Sequence, residues 1–129
     1  MIKASTVICI NNKKEILLLL RDNKPEIDYP NTWGLIGGHL EKNETPIQAL
    51  IREVKEEINY ELVNPVYIGN IRKKISVFKE KINKKINELE LNEGQKIRFF
   101  KYKDILRQKN IPKILKDFIL KYKEKIYND

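Results

Sequence analysis

Glu41, Glu44, Glu53, Glu56 and Glu57 all fall between Gly38 and Tyr60, in a chain whose formal net charge is +8. Carboxylates crowded this closely repel, by roughly a few tenths of a kcal/mol for each pair at helical spacing. A bound divalent cation turns that repulsion into coordination. Hard oxygen ligands suit Mg²⁺, Mn²⁺ or Ca²⁺, and Mg²⁺ usually keeps water and substrate phosphates in its shell. The alternative is a solvated charged face on which Arg52 balances Glu56 and Lys55 balances Glu53. The two readings differ in whether the surrounding elements gather the acids or spread them.

Those elements start with Thr45-Pro46-Ile47-Gln48. Thr45 can cap a helix, Pro46 suits its first position, and Gln48 stands where a capping box wants Glu or Gln. Ile47, Leu50, Ile51, Val54 and Ile58 then recur at spacings of three and four, which predicts one apolar stripe. At about 100° per residue, Glu53, Glu56 and Glu57 share a different face. Asn59 falls where a helix often ends in a left-handed residue. Ahead of the helix, Gly37 and Gly38 let backbone approach a ligand closely. The sole histidine, His39, adjoins this loop, where it could touch a phosphate or move a proton; a local structural role is the plainer reading.

The stretch Gly38–Tyr60 resembles the Nudix box, G-x5-E-x7-R-E-U-x-E-E-x-G-U with U a bulky apolar residue. Gly38, Glu44, Arg52, Glu53, Val54, Glu56 and Glu57 match with every spacing intact. Asn59 replaces the closing Gly and Tyr60 takes the last apolar position. Asn can serve the turn that Gly normally makes. Trp33-Gly34-Leu35-Ile36-Gly37-Gly38 is similar to the family's strand leading into the box. The resemblance implies an α/β Nudix fold, an α/β/α sandwich with a mixed sheet between helices. It implies hydrolysis of a nucleoside diphosphate linked to another group, with Mg²⁺ as cofactor and Mn²⁺ as a substitute. Glu53, Glu56, Glu57 and the loop carboxylate Glu41 would be metal ligands. Glu53 or Glu93 would act as base, the latter because Glu93-Gly94-Gln95-Lys96 resembles a family segment that brings an acid near the metals. Arg52 would position Glu53, Glu44 would hold the loop, and Gly37, Gly38 and His39 would meet substrate. An exposed turn residue is the other reading of Glu93.

The 129 residues are expected to form one domain over 1–129, with 41% hydrophobic and 34% charged residues fitting a globular chain with a charged surface. No apolar run approaches the roughly 20 residues of a membrane span, and no signal peptide is read, so a cytoplasmic site and no membrane partner are expected. Cys9, the single cysteine, lies in an apolar run and is expected to be a buried strand residue. The basic charge admits RNA as a partner, although lysine-rich composition alone explains it. A nucleotide is the expected ligand, and a homodimer stays open. A nucleotide sensor without turnover is a further alternative, which the intact carboxylate set argues against.

Val7–Ile10 and Ile16–Leu20 read as strands around the turn Asn11–Lys14, the second suited to burial on both faces. Residues 21–31 read as a loop, with Trp33 a packing residue beyond it. Val66–Ile68, Ile75–Phe78 and Ile97–Phe100 read as strands, while Lys79–Leu91 is ambiguous between strand and helix. Tyr102–Leu106 suggests a helical turn, and Pro112–Tyr127 one amphipathic helix.

Overall fold

The computed structural model describes residues 1–128, and its centre is the aliphatic run Ile16–Leu20 (β2), every residue of which is buried. Alternate side chains enter separate cores. Ile16, Leu18 and Leu20 join one, and Leu17 and Leu19 join the other, as period-two geometry requires of a strand covered on both faces. Ala4–Ile10 (β1) divides likewise, with Ile8 and Ile10 on one side and Val7 and Cys9 on the other. The turn between them is held by Asn11, whose Oδ1 accepts from the N–H groups of Lys13 and Glu15.

Trp33–Gly34 (β3) and Lys96–Phe100 (β7) pair antiparallel with β2. Ile36–His39 (β4) pairs antiparallel with β1, while Ile75–Lys81 (β6) runs parallel to it. Val66–Ile71 (β5) forms the edge beyond β6. The sheet is therefore mixed, and the stretch leading into the acidic segment is two strands rather than one. Its halves serve different partners, which a single run of residues cannot reveal.

Pro46–Ile58 (α1) covers one face of the sheet. Thr45 caps it with Gln48 completing the box, and Asn59 closes it in the left-handed region at φ 53°. Leu50, Val54 and Ile58 are fully buried against Val7, Leu17 and Phe78, each contributing about 1.5–3 kcal/mol. The expected stripe needs correction at its edges. Ile47 and Ile51 are exposed, and Ala49 and Glu57 are buried instead. The helix is rotated on the sheet so that Ala49 and Glu57, rather than Ile47 and Ile51, face inward.

The opposite face is covered by Tyr102–Arg107 (α2), Lys113–Lys121 (α3) and Lys123–Tyr127 (α4). Ile105, Leu115, Phe118, Ile119 and Ile126 bring their apolar sides to the sheet. The expected single C-terminal helix is broken at Tyr122, whose ψ of 21° leaves the helical well. Its ring lies tilted against Phe118 at 4.5 Å and fills the space above Gly69. Apolar periodicity survives a one-residue break, so the sequence shows none. Arginine and lysine concentrate in the C-terminal stretch, where residues 96–128 hold eleven of them against three acids. Among the described residues, no helix is long and apolar enough to cross a membrane.

The ambiguous Lys79–Leu91 begins as the end of β6 and continues to a 3-10 turn at Ile86–Glu88. Within it Glu80 is buried at 5% exposure. It accepts hydrogen bonds from the Tyr60 hydroxyl (3.0 Å) and the N–H groups of Val63 (2.9 Å) and Asn64 (2.7 Å). Burial, and next the Glu80 charge, push the Cys9 thiol up to about 12, so it is a packed thiol and not a nucleophile. Glu80→Ala should lower unfolding free energy by about 2–3 kcal/mol, because buried donors lose their acceptor. Urea titration checks this; a loss below about 0.5 kcal/mol would mean that water takes over the carboxylate's role.

Candidate active site

Four segments converge beside the middle of α1. The β4 end supplies Gly37 and Gly38, the following loop supplies Glu41 and Glu44, α1 supplies Arg52 to Glu57, and the loop ahead of β7 supplies Glu93. Backbone bonds fix the last of these against the helix end, with Asn92 N–H donating to the Glu57 carbonyl at 2.8 Å and Glu90 N–H to that of Ile58 at 3.2 Å.

Carboxylate oxygens of Glu53, Glu57 and Glu93, one from each, all lie within 4.8 Å of one another. Glu57 is buried and its Oε2 accepts from Gly37 N–H at 3.2 Å. Burial, then the charges of Glu93 and Glu53, push its carboxyl up to about 8, against the pull of Gly37 N–H and the positive charge of Arg21. Burial raises Glu53 as well, opposed by its bond from Arg52. Burial and neighbouring negative charge disfavour the ionised form of Glu57, and a cation bound at this point would favour it. The donor set, three oxygen ligands at one point, suits a hard divalent cation.

Arg52 organises the remaining acids. Its Nε and Nη2 grip both oxygens of Glu44 at 2.8 and 2.9 Å, its Nη1 reaches Glu53 at 3.0 Å, and Nη2 also donates to the His39 carbonyl at 3.1 Å. Glu56 lies 3.3 Å from Nη1 and Glu41 lies 3.5 Å from Nε. A forked guanidinium on a carboxylate fixes orientation as well as distance. Glu44 also accepts from Glu41 N–H at 2.7 Å. The Arg52 bond, then that N–H, holds the Glu44 carboxyl down at about 2.

Of the residues singled out in the sequence, Glu53, Glu57 and Glu93 are brought together. Glu41 and Glu56 stay exposed and face Arg52 instead. His39 enters the network through its carbonyl. The two glycines have different reasons. Gly37 lies at φ +149°, and a Cβ there would stand 2.0 Å from the Ser5 carbonyl oxygen, so only glycine fits. At Gly38 a Cβ would meet the Glu53 carboxylate, 2.4 Å from its Cδ. Gly38→Ala should fold normally, since a side chain can swing away, yet displace Glu53 and weaken Mn²⁺ binding by about 10- to 100-fold. Calorimetric titration beside a melting curve tests this, and wild-type affinity would place Glu53 outside the metal shell.

Arg21 and Gln95 escaped the sequence reading. Arg21 directly follows β2, and its charge acts on Glu57. Its signal was position alone: a polar residue ending a fully buried strand is delivered to the sheet's rim. Gln95 carried no signal, because its partners are distant in the chain.

Comparison with known proteins identifies the family and the fold that carry this arrangement. The family model of the NUDIX domain matches residues 1–122. An uncharacterised Nudix hydrolase of Listeria innocua is 39% identical over 70 residues, covering 54% of this chain and 39% of that protein. The chain thus spans well under half the length of that curated relative. A MutT protein from Methanosarcina mazei superposes with a TM-score of 0.78 at 23% identity, covering 96% of this chain and 94% of the other. The NUDIX domain of Shewanella oneidensis NrtR, complexed with ADP-ribose, does so with a TM-score of 0.73 at 15% identity, covering 98% and 88%. At such identities these structures speak for the fold.

Proposed function

Because this chain belongs to the Nudix family, we propose that it is a Mg²⁺-dependent hydrolase of a pyrophosphate bond in a nucleoside diphosphate linked to another group. The observation that carries this reading is the convergence of Glu53, Glu57 and Glu93 around one point. Glu53 and Glu57 would hold the metal, with Glu56 and Glu41 joining when phosphate and water complete the shell. Bound there, Mg²⁺ neutralises pyrophosphate oxygens and makes a coordinated water more acidic.

The chain's own residues do the rest. Arg52 keeps Glu53 in one rotamer by its 3.0 Å bond, while Glu44 fixes Arg52. Glu93 is exposed and accepts no hydrogen bond among the described residues, whereas one Glu53 oxygen is already taken. Glu93 is therefore the better placed base for the attacking water. Gly37 and Gly38 present a side-chain-free edge to the phosphates.

The neighbour that binds ADP-ribose and the MutT protein define the first substrates to try. Product release would be measured from ADP-ribose, nucleoside triphosphates, oxidised nucleotides, nucleotide sugars and dinucleoside polyphosphates, with and without Mg²⁺. Metal-dependent cleavage of one class is expected. Tight binding without cleavage anywhere in the panel would replace the hydrolase with a nucleotide sensor. The basic stretch 96–128 favours one second reading, a hydrolase of RNA 5′-polyphosphate ends. That reading requires cleavage of triphosphorylated RNA and a steep loss of binding with salt.

A further inference from the structure

Glu93 sits between two anchors. On one side Asn92 is tied to the end of α1. On the other, Gly94 at φ +86° lies against β2, where a Cβ would stand 2.5 Å from Leu19 Cδ2 and 2.9 Å from the Leu20 carbonyl oxygen. Gln95 follows, its N–H donating to that Leu20 carbonyl at 2.8 Å. Its side-chain amide then turns outward across the sheet's rim. Nε2 donates to the Arg21 carbonyl at 2.7 Å and to Asn31 Oδ1 at 2.9 Å.

These two acceptors are the opposite ends of the loop between β2 and β3. Within that loop the bonds are largely internal: Arg21 Nε donates to the Asp28 carbonyl at 2.8 Å, and Asn31 N–H to the Asp22 carbonyl at 3.1 Å. Asn31 adopts a left-handed conformation at φ 57°, which asparagine tolerates. An amide at position 95 spends both N–H groups on two acceptors. A carboxylate of the same shape would bring oxygen against oxygen at the Arg21 carbonyl.

We propose that Gln95 is a positioning residue that staples the 21–32 loop to the Glu93 loop, holding Arg21 and Glu93 as one wall beside Glu53 and Glu57. Glu93 brings a carboxylate oxygen within 4.8 Å of those of Glu53 and Glu57, and Gln95 holds the Arg21 backbone on the other side, so the staple fixes where a positive and a negative side chain stand relative to one another. For turnover this rests on the hydrolase reading above. The mechanical coupling does not.

The test compares Gln95→Glu, Asn31→Gly and Asn31→Asp with the wild-type chain by amide hydrogen exchange, without metal or substrate. Gln95→Glu should speed exchange about tenfold at both Asn31 and Asn92, as expected for loss of hydrogen bonds of ordinary net strength. The α1 amides should stay protected. Asn31→Gly, which keeps the left-handed backbone but lacks the acceptor, should loosen the same two loops, and Asn31→Asp, which retains it, should not. Asn31→Gly also stands in if Gln95→Glu fails to fold. Unchanged exchange in residues 21–32 for both donor and acceptor variants overturns the staple. Once a substrate is in hand, Gln95→Glu should lower kcat about tenfold at unchanged melting temperature. A lowered melting temperature with wild-type kcat would reduce Gln95 to a structural residue. If the wild-type chain cleaves nothing, the exchange result still decides the coupling, so the two readings fail separately.

Discussion

Glu57→Gln should remove at least about 10²-fold of metal-dependent turnover, since even residues that only support a metal ligand cost 10- to 100-fold. The same change should make the metal-free protein more stable at alkaline pH. Glu57 has a folded-state carboxyl pushed up from 4.5 to about 8, first by burial and then by Glu93 and Glu53. The folded chain thus binds this proton more tightly than the unfolded chain. Its contribution to stability is fully present below about pH 4.5 and is lost as pH rises through about 8. Glutamine cannot ionise and keeps an oxygen for Gly37 N–H. Above pH 8 the variant should therefore gain on the order of 2–4 kcal/mol over the metal-free wild type, and near pH 4 almost nothing. Mg²⁺ should reverse the order, stabilising the wild type more at pH 8.5 than at pH 6 and leaving the variant untouched. Melting curves across pH, with and without Mg²⁺, check all three statements. A variant that melts below the wild type at every pH would show Glu57 to be a fold determinant rather than a strained ligand.

Arg52→Gln should be the second most damaging single change. The guanidinium is the common partner of Glu44, Glu53, Glu56 and Glu41. Its loss leaves those acids facing one another and frees Glu53 to rotate. A misplacement of about 1 Å at a reacting centre can cost about 10²-fold, and a kcat loss of that order is expected. The acid side of the stability profile should change too. Glu44 is depressed to about 2 by its bond from Arg52. It therefore contributes stability above about pH 4.5 that disappears as pH falls toward 2. In Arg52→Gln this acid-side loss should be blunted, because Glu44 returns toward the ordinary carboxylate range. Arg52→Lys should rescue little, since a single ammonium cannot hold both Glu44 oxygens and reach Glu53. Full activity in Arg52→Lys would show that charge, not the forked geometry, is what matters.

Much of this was legible in the chain. Thr45, Pro46 and Gln48 fix where α1 begins, and Asn59 fixes where it ends, because caps are local bonds among neighbours in sequence. The run Ile16–Leu20 announces a strand buried on both faces for the same reason: period and composition are local. The resemblance to the Nudix box needs no coordinates either, and the family model that matches residues 1–122 bears it out. The helix rotation was not legible. Ile51 and Glu57 compete for the inward direction, and only the shape of the surface beneath α1, set by Val7, Leu17 and Phe78, decides between them. The break at Tyr122 was hidden likewise, because the space above Gly69 belongs to a strand far away in sequence.

The sequence by itself determined the acidic helix, its caps and the buried strands, and offered Glu41, Glu53, Glu56 and Glu57 as candidate ligands without deciding among them. Tertiary structure alone decided which carboxylates meet. Glu93 joins Glu53 and Glu57 because its loop is tied to the end of α1 and to β2. Glu41 and Glu56 turn to Arg52, Glu80 becomes a buried anchor, and Gln95 links two loops. Each outcome depends on distances between residues remote in the chain, and a one-dimensional pattern carries no such distances. Local bonding preferences can be read in order; burial and charge proximity exist only after the chain has closed on itself.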